Sequence, residues 1–156
     1  MSTLRAAASR CLVAACLLFA GAAPQAETLD ASLDCRQRPH DFVAGLIARG
    51  QIEASPGRVE DNSVNVFWTR PGADLHAYGH RVFAVLAYAA RDPLFRPGKG
   101  RPVADAAYGA MLFAATDEVA RAAARANSPA LIHHAAPHVT AVFCKSDAAA
   151  AADLQP

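Results

Sequence analysis

The residues most able to do chemistry in this 156-residue chain are its histidines, five of which fall into two groups. The first group lies in the stretch LHAYGHRVFAVLAYA and the second in LIHHAAPHV. Imidazole is a frequent ligand of zinc and copper, and it exchanges protons near neutral pH. The candidates for a metal site or an acid/base pair are therefore His76, His80, His133, His134 and His138.

Local structure decides whether His76 and His80 could share one ion. In a helix, residues four apart stand on adjacent turns, roughly 5–6 Å from each other. In a strand they lie on one face but about 13 Å apart, at roughly 3.3 Å per residue, which is too far for one ion. The Val, Phe and Tyr content, Gly79 and the preceding RPGAD turn favour a strand over residues 75–89, with a helix as the alternative.

Neither group carries a recognisable catalytic or metal motif. No glutamate stands between His76 and His80, so the HExxH arrangement of zinc proteases is absent, and the chain has no Cys-x-x-Cys pair. We therefore predict that the histidines are hydrogen-bonded or solvent-facing residues and that the protein needs no cofactor. A zinc or copper site is the first alternative, and histidine acid/base catalysis is the second.

The first 30 residues, MSTLRAAASRCLVAACLLFAGAAPQAETLD, have the pattern of an export signal. Arg5 and Arg10 precede an apolar run over residues 11–20 that is too short to span a bilayer. Small residues near its end predict a signal peptide over 1–22, with cleavage possible up to 26, and a periplasmic or secreted protein. The sequence VAAC matches the pattern before a lipidated cysteine, but the apolar run continues past it, so anchoring through Cys16 is not expected.

Loss of the signal peptide would leave two cysteines, Cys35 and Cys144. In an oxidising compartment two cysteines allow one intramolecular pairing, so we predict a disulfide between them. Its loop of about 100 residues would stabilise the fold by roughly 4–5 kcal/mol in the chain-entropy description. Two buried free thiols are the alternative.

The remaining chain is long enough for one domain with one core. We assign residues 23–146 to a single exported domain and 147–156 to a disordered tail. The whole chain has a net charge of +1, and removal of Arg5 and Arg10 takes it to −1, so no nucleic-acid partner is indicated.

The predicted fold class is α+β: a small, mostly antiparallel sheet of about four strands, two helices on one face, one disulfide and no transmembrane segment. Asp41 is expected to accept from first-turn amides of the first helix, and Thr116 to cap the second. Trp68 alternates with Val64 and Val66, so we expect it in the core. The predicted order of elements is α-β-β-(long loop)-β-α-β. Helices are predicted over 41–49 and 117–126. Strands are predicted over 62–69, 75–89, 108–114 and 138–144, the last with 130–134 as its leading arm.

A long basic loop over residues 90–107 is the other candidate for a site. Guanidinium groups match phosphates and acidic protein surfaces, and long loops in compact domains are often functional. The sequence RPGKGRP lacks the glycine spacing and the Ser or Thr of a phosphate-binding P-loop. The candidate binding residues of this loop are Arg91, Arg96, Lys99 and Arg101.

These features favour a small exported, non-enzymatic binding module, such as an inhibitor or immunity-type protein whose partner is another exported protein. The size, the single disulfide and the lack of an assembled catalytic motif support this interpretation. The alternatives are a periplasmic zinc- or copper-binding protein that uses the clustered histidines, and a small hydrolase with histidine acid/base chemistry.

Overall fold

A computed structural model describes residues 26–146 of the chain. The predicted signal peptide and the predicted tail, 147–156, lie outside the described residues. Two helices are present, α1 (Pro39–Ala48) and α2 (Thr116–Arg125), with a short 3₁₀ helix at Ser32–Asp34. The strands are β1 (Glu27–Thr28), β2 (Arg58–Val59), β3 (Asn65–Trp68), β4 (Leu75–Ala77), β5 (His80–Ala89), β6 (Ala106–Phe113), β7 (Leu131–Ala136) and β8 (Val139–Ser146).

The strands form one mixed, mostly antiparallel sheet. Its main path runs β1-β4-β5-β6-β8-β7. The strand β3 pairs with a later part of the same edge of β5 that β4 pairs with, and β2 pairs with the outer side of β3. Only β1 and β4 pair in parallel among the described strands. The predicted α+β class with two helices is confirmed, but the prediction of about four strands is wrong, since the sheet has eight. Three of the extra strands are two or three residues long, too short for an alternating pattern to reveal.

Both helices pack on the same face of the sheet and form the main core there. Amphipathic spacing places Phe42, Val43 and Leu46 of α1 and Val119 of α2 in this core. Burying apolar side chains of this size contributes roughly 1.5–3 kcal/mol each, which makes this layer the principal source of stability. Their partners on the strands include Val85, Ala110, Leu112 and Val142.

The helix limits are close to those predicted, but the two N-terminal capping predictions are wrong. The α1 N-cap is Arg38, which has no side-chain cap bond, and Asp41 instead accepts two hydrogen bonds from the Arg38 guanidinium. Ala115 occupies the N-cap of α2, so Thr116 is already helical. Its hydroxyl is engaged with Thr140 Oγ1, 3.1 Å away.

Residues 75–89 are extended, as predicted, but they form a hairpin and not one strand. The break falls at Tyr78 and Gly79, which both have positive φ (51° and 80°). Positive φ at two central residues is the backbone of a tight hairpin turn, and tyrosine seldom adopts it. The Tyr78 amide donates to Asp30 Oδ1 at 2.6 Å and its hydroxyl donates to Ser128 Oγ at 2.8 Å, so distant residues hold the turn.

The predicted disulfide is present between Cys35 and Cys144, with the two Cα atoms 5.0 Å apart. Cys35 follows the 3₁₀ helix, and Cys144 lies in β8 opposite Tyr108 of β6. The Tyr108 hydroxyl donates to Ser32 O at 3.0 Å and accepts from the Gln37 amide at 3.3 Å. The bridge and this phenol therefore fix the N-terminal segment to the centre of the sheet.

Gly109 lies inside β6, where a methyl group would collide with the Val142 carbonyl oxygen of β8. We expect Gly109→Ala to destabilise the protein by about 1–3 kcal/mol, because the two strands would have to separate. Gly45→Ala in α1 is the matched control: its added carbon meets only the flexible Arg49 guanidinium, and alanine is the better helix former. Urea unfolding measures both, and equal losses in the two variants would contradict this account.

Two buried phenols predict a loss of stability at alkaline pH. Burial raises the pKa of both Tyr78 and Tyr108 above the ordinary value of 10.0. The unfolded chain therefore releases these protons first, so stability is unaffected below about pH 10 and falls as the pH rises through the native pKa values. Between pH 8 and 11, the urea midpoint of the Tyr78→Phe/Tyr108→Phe variant should fall less steeply than that of the wild type. Parallel curves for the two proteins would refute the prediction.

Candidate functional site

The face of the sheet opposite the helices, here called the open face, carries a second apolar cluster. Its buried members come from three central strands and from the residue before β3, and no described helix packs against them. Three larger side chains, Phe83, Met111 and Phe143, are partly buried beside them. The buried members are Val64, Val66, Ala84, Leu86 and Ala141.

A cleft of about 580 Å³ lies on this open face and is called the open-face cleft. Its floor crosses β3, β5, β6 and β8; β7 forms one rim, and Glu60, Asn62 and Val103 form the other. The distance from β3 to β7 covers four inter-strand spacings of roughly 4.8 Å, so the cleft is about 19 Å wide. Ligand cavities in proteins are usually about 300–1,000 Å³ and mostly apolar, so the cleft has the size and character of a small-molecule site. Its lining includes Val64, Val66, Leu86, Ala107, Met111, Leu131, Ala141 and Phe143.

Alternation along β3 explains how the cleft arises. Phe67 points to the helix side, where its ring meets Phe95 edge-on at 6.3 Å between centroids. Val64 and Val66 point to the open face. Trp68 follows the same alternation and is 43% exposed, so the prediction that it lies in the core is wrong. Its indole lies against Gly57, where a side chain would collide with it.

Large apolar side chains remain exposed around the cleft. Leu131 on the β7 rim is 51% exposed, and Val103 on the opposite rim is 39% exposed. On the same face but outside the cleft lining, Phe113 is 58% exposed and stacks on Phe83 with ring centroids 4.2 Å apart. Clustered exposed apolar surface of this kind marks a binding surface more often than isolated apolar residues do.

The charged groups of the cleft differ in how they are paired. Glu60 is held by Arg58, with Nε 2.7 Å from Oε1 and Nη2 3.1 Å from Oε2. Lys145 lies at the end of β8 opposite Ala107, and its exposed side chain makes no hydrogen bond or ion pair with any residue in the described part of the chain. Lys145 is therefore the cationic group that this cleft offers to a ligand.

The structure separates the candidate histidines. His76 pairs with Arg81 and His80 with Ala77 across the hairpin, so the two imidazoles project from opposite faces. The earlier expectation that a strand would put them on one face is wrong, because the turn at Tyr78 and Gly79 reverses the chain between them. His76 Nδ1 lies 3.5 Å from Asp74 Oδ1.

The second histidine group is also spread out. His133 pairs with Ala141 on the open face and borders the cleft, while His134 Nδ1 lies 3.2 Å from Thr116 Oγ1 on the helix side. His138 is exposed in the turn between β7 and β8, with φ 57°. Within residues 26–146, no group of three or more His, Cys, Asp or Glu side chains could hold a metal ion. The zinc or copper hypothesis and the acid/base hypothesis gain no support from this geometry.

The basic loop is attached to β3 and to the residues just before it by hydrogen bonds from side chains there to the loop backbone. The buried Asn65 side chain binds both backbone groups of Arg96: its Oδ1 accepts from the amide at 2.9 Å and its Nδ2 donates to the carbonyl at 2.8 Å. The Gly98 amide donates to Ser63 Oγ at 2.9 Å. The loop spans residues 90–105, because β6 begins two residues earlier than predicted.

The four cations of this loop do not converge on one site. All of them are exposed, and among the described residues none forms an ion pair or side-chain hydrogen bond. Arg91 borders a shallow second cavity of about 540 Å³ together with Arg38, which is itself paired with Asp41, and His40, which is paired with Asp92. The other three cations, Arg96, Lys99 and Arg101, do not line that cavity.

Sequence reasoning therefore missed the open-face cleft. The signal that could have found it was the apolar character of both sets of alternating positions in β5 and β6, since strands that are apolar on both faces need cover on both. In comparisons with protein-family models, curated proteins and solved structures, nothing matches this chain. In the described part of the chain, no helix is long and apolar enough to cross a membrane.

Proposed function

We propose that this protein is an exported, non-enzymatic binding protein that holds an apolar ligand in the open-face cleft. The observation that carries the proposal is the cleft itself: about 580 Å³ of space over an apolar sheet face that no described helix covers. Enclosing a ligand there would remove side chains such as Met111, Leu131 and Phe143 from water, at roughly 25 cal/mol for each Å² of apolar surface buried.

Export is supported by the N-terminal sequence pattern and by the disulfide. Structural disulfides persist in oxidising compartments and are rare in the bacterial cytosol. The Cys35–Cys144 bridge therefore agrees with a periplasmic or secreted location. It also fits the role, because a rigid frame keeps an apolar cleft open without collapse.

The inhibitor or immunity-type role remains a hypothesis that would use another surface. The basic loop is fixed to β3 through Asn65, so its exposed cations are displayed on a defined backbone. That observation suits recognition of an acidic protein surface. It does not use the open-face cleft, so the two hypotheses separate experimentally.

The test of the proposed function is a titration of the oxidised, mature protein with a neutral, polarity-sensitive dye. We expect saturable fluorescence enhancement with about one site per chain and competition by neutral long-chain alcohols. The protein must show a cooperative urea transition under the same conditions, so that the dye does not report an unfolded fraction. Enhancement that never saturates, or that alcohols do not reverse, would contradict the proposal.

A further inference from the structure

The charge at the cleft identifies a class of ligand more closely than its apolar lining does. We infer that the open-face cleft takes a single-chain anionic amphiphile, with its acyl chain on the sheet and its acidic head group at Lys145. The inference rests on the proposed function and adds to it the chemistry of the head group.

Lys145 marks one end of the cleft and Ala141 lies toward the other. Both belong to alternate positions of β8 on the open face, and four residues of strand span about 13 Å. A ligand lying along this direction would keep its tail over Ala141, Phe143 and Met111 while its head reached the ammonium group. The apolar lining and the cation are therefore arranged as the two parts of an amphiphile require.

Other charges in the cleft do not compete for this role. The Glu60 carboxylate is already held by two nitrogens of Arg58, which leaves a neutral pair on that rim. His133 lies on the β7 rim opposite Ala141, away from Lys145 along the strand. An acidic head group is thus attracted to one end of the cleft only, and this gives the ligand a direction.

The other candidate occupant of the open face is a second copy of the chain. The exposed rim strand β7 has the sequence LIHHAA, without lysine or proline to prevent edge pairing. A second copy would have to place its own apolar side chains over a cleft in which Lys145 is unpaired, and Glu60, the acidic residue that lines the rim opposite β7, is already neutralised. An amphiphile satisfies both features, so we argue for the amphiphile and make dimerisation an outcome of the test.

The experiment compares dodecanoate with dodecanol, both below their aggregation concentrations, by competition against the neutral dye. Wild-type protein should bind the carboxylate at least about five-fold more tightly than the alcohol, and the ratio should shrink as salt is added. Shortening the carboxylate by one methylene should weaken binding roughly four-fold, as long as the removed group lay in the cleft.

The decisive variant is Lys145→Ala, with Lys99→Ala as its matched control. The chain has two lysines, and Lys99 lies in the basic loop outside the cleft. Lys145→Ala should bring the affinity ratio of dodecanoate to dodecanol close to one, whereas Lys99→Ala should keep the wild-type ratio. Retention of the preference in Lys145→Ala, or its loss in Lys99→Ala, overturns the head-group assignment.

Three further outcomes are distinguishable from one another. Equal binding of acid and alcohol by the wild type overturns the inference but leaves the proposed function standing. Failure of the dye, the acid and the alcohol to bind overturns both. Dye binding that declines with rising protein concentration, in step with dimer formation in analytical ultracentrifugation, assigns the open face to a second copy and also overturns the inference.

Discussion

Replacing Cys35 and Cys144 with serine is expected to lower the free energy of unfolding by about 2–5 kcal/mol, the range seen for native disulfides of small secreted domains. The bridge joins residues 109 apart in sequence, so its loss gives the unfolded chain a large gain in conformational freedom. The chain-entropy description assigns about 4.7 kcal/mol to a loop near this size. Marginal stabilities of about 5–15 kcal/mol make this one of the largest effects available in the protein.

Urea unfolding of the oxidised wild type, the reduced wild type and the Cys35→Ser/Cys144→Ser variant measures the effect. The reduced wild type and the variant should have the same midpoint, because both lack only the bridge. A variant that unfolds at the same urea concentration as the oxidised protein would contradict the account. Equal midpoints for the reduced wild type and the variant would also show that the serine hydroxyl groups do not cause the loss of stability.

A negative charge at the rim of the cleft should abolish most ligand binding. We expect Leu131→Glu to weaken binding of the neutral dye by at least about ten-fold, which corresponds to about 1.4 kcal/mol. Two effects combine: the leucine side chain no longer contacts the ligand, and the carboxylate has to lose water when an apolar ligand covers it. Leu131 is 51% exposed, so the fold should tolerate the substitution, with a change in stability of about 0.5 kcal/mol or less.

The matched control is Ala124→Glu, which adds the same charge at an exposed position of α2. It should leave dye binding unchanged, because the helices lie on the other side of the sheet. Equal losses of dye affinity in the two variants would show that net charge, and not the cleft, determines dye binding. Unchanged binding in Leu131→Glu would remove the cleft from the account.

Local sequence signals predicted the elements whose limits are set locally. The helix α2 was placed within one residue at each end, helped by Asp117 and Glu118 in its first turn and by Asn127, which has φ 52° after the helix. Gly50, with φ 68°, follows α1 directly after residue 49, where the helix was predicted to end. The disulfide followed from counting the cysteines that an exported chain would keep.

Elements fixed by distant contacts were missed. The turn at Tyr78 depends on Asp30 and Ser128, neither of which is near it in sequence. The strand β7 was predicted only as a leading arm, although it is a full partner of β8 across a turn that contains Pro137 and His138. Pro137, which has no backbone N–H to donate, lies in the connection between the two strands and breaks neither of them.

The candidate site was even harder to predict from local sequence than these strands and turns. Histidine spacing suggested a shared ion, and pairing in the hairpin then placed His76 and His80 on opposite faces. The cleft depends on which face of the sheet the helices cover, and that is decided by packing across the whole domain. Apolar alternation at Val64, Val66 and Trp68 predicted burial in the core, but it cannot say which of the two faces is left open.

Mapping the ligand on the protein tests the central claim most directly. A neutral long-chain alcohol that carries a photoreactive diazirine would be bound, illuminated and located by mass spectrometry after tryptic digestion of the reduced protein. The account predicts labelling in the peptides 100–121 and 126–145, at positions such as Val103, Met111, Leu131 and Phe143, with competition by unlabelled alcohol. Labelling concentrated on the α1 peptide 37–49 or on the basic-loop peptide 92–99 would contradict it.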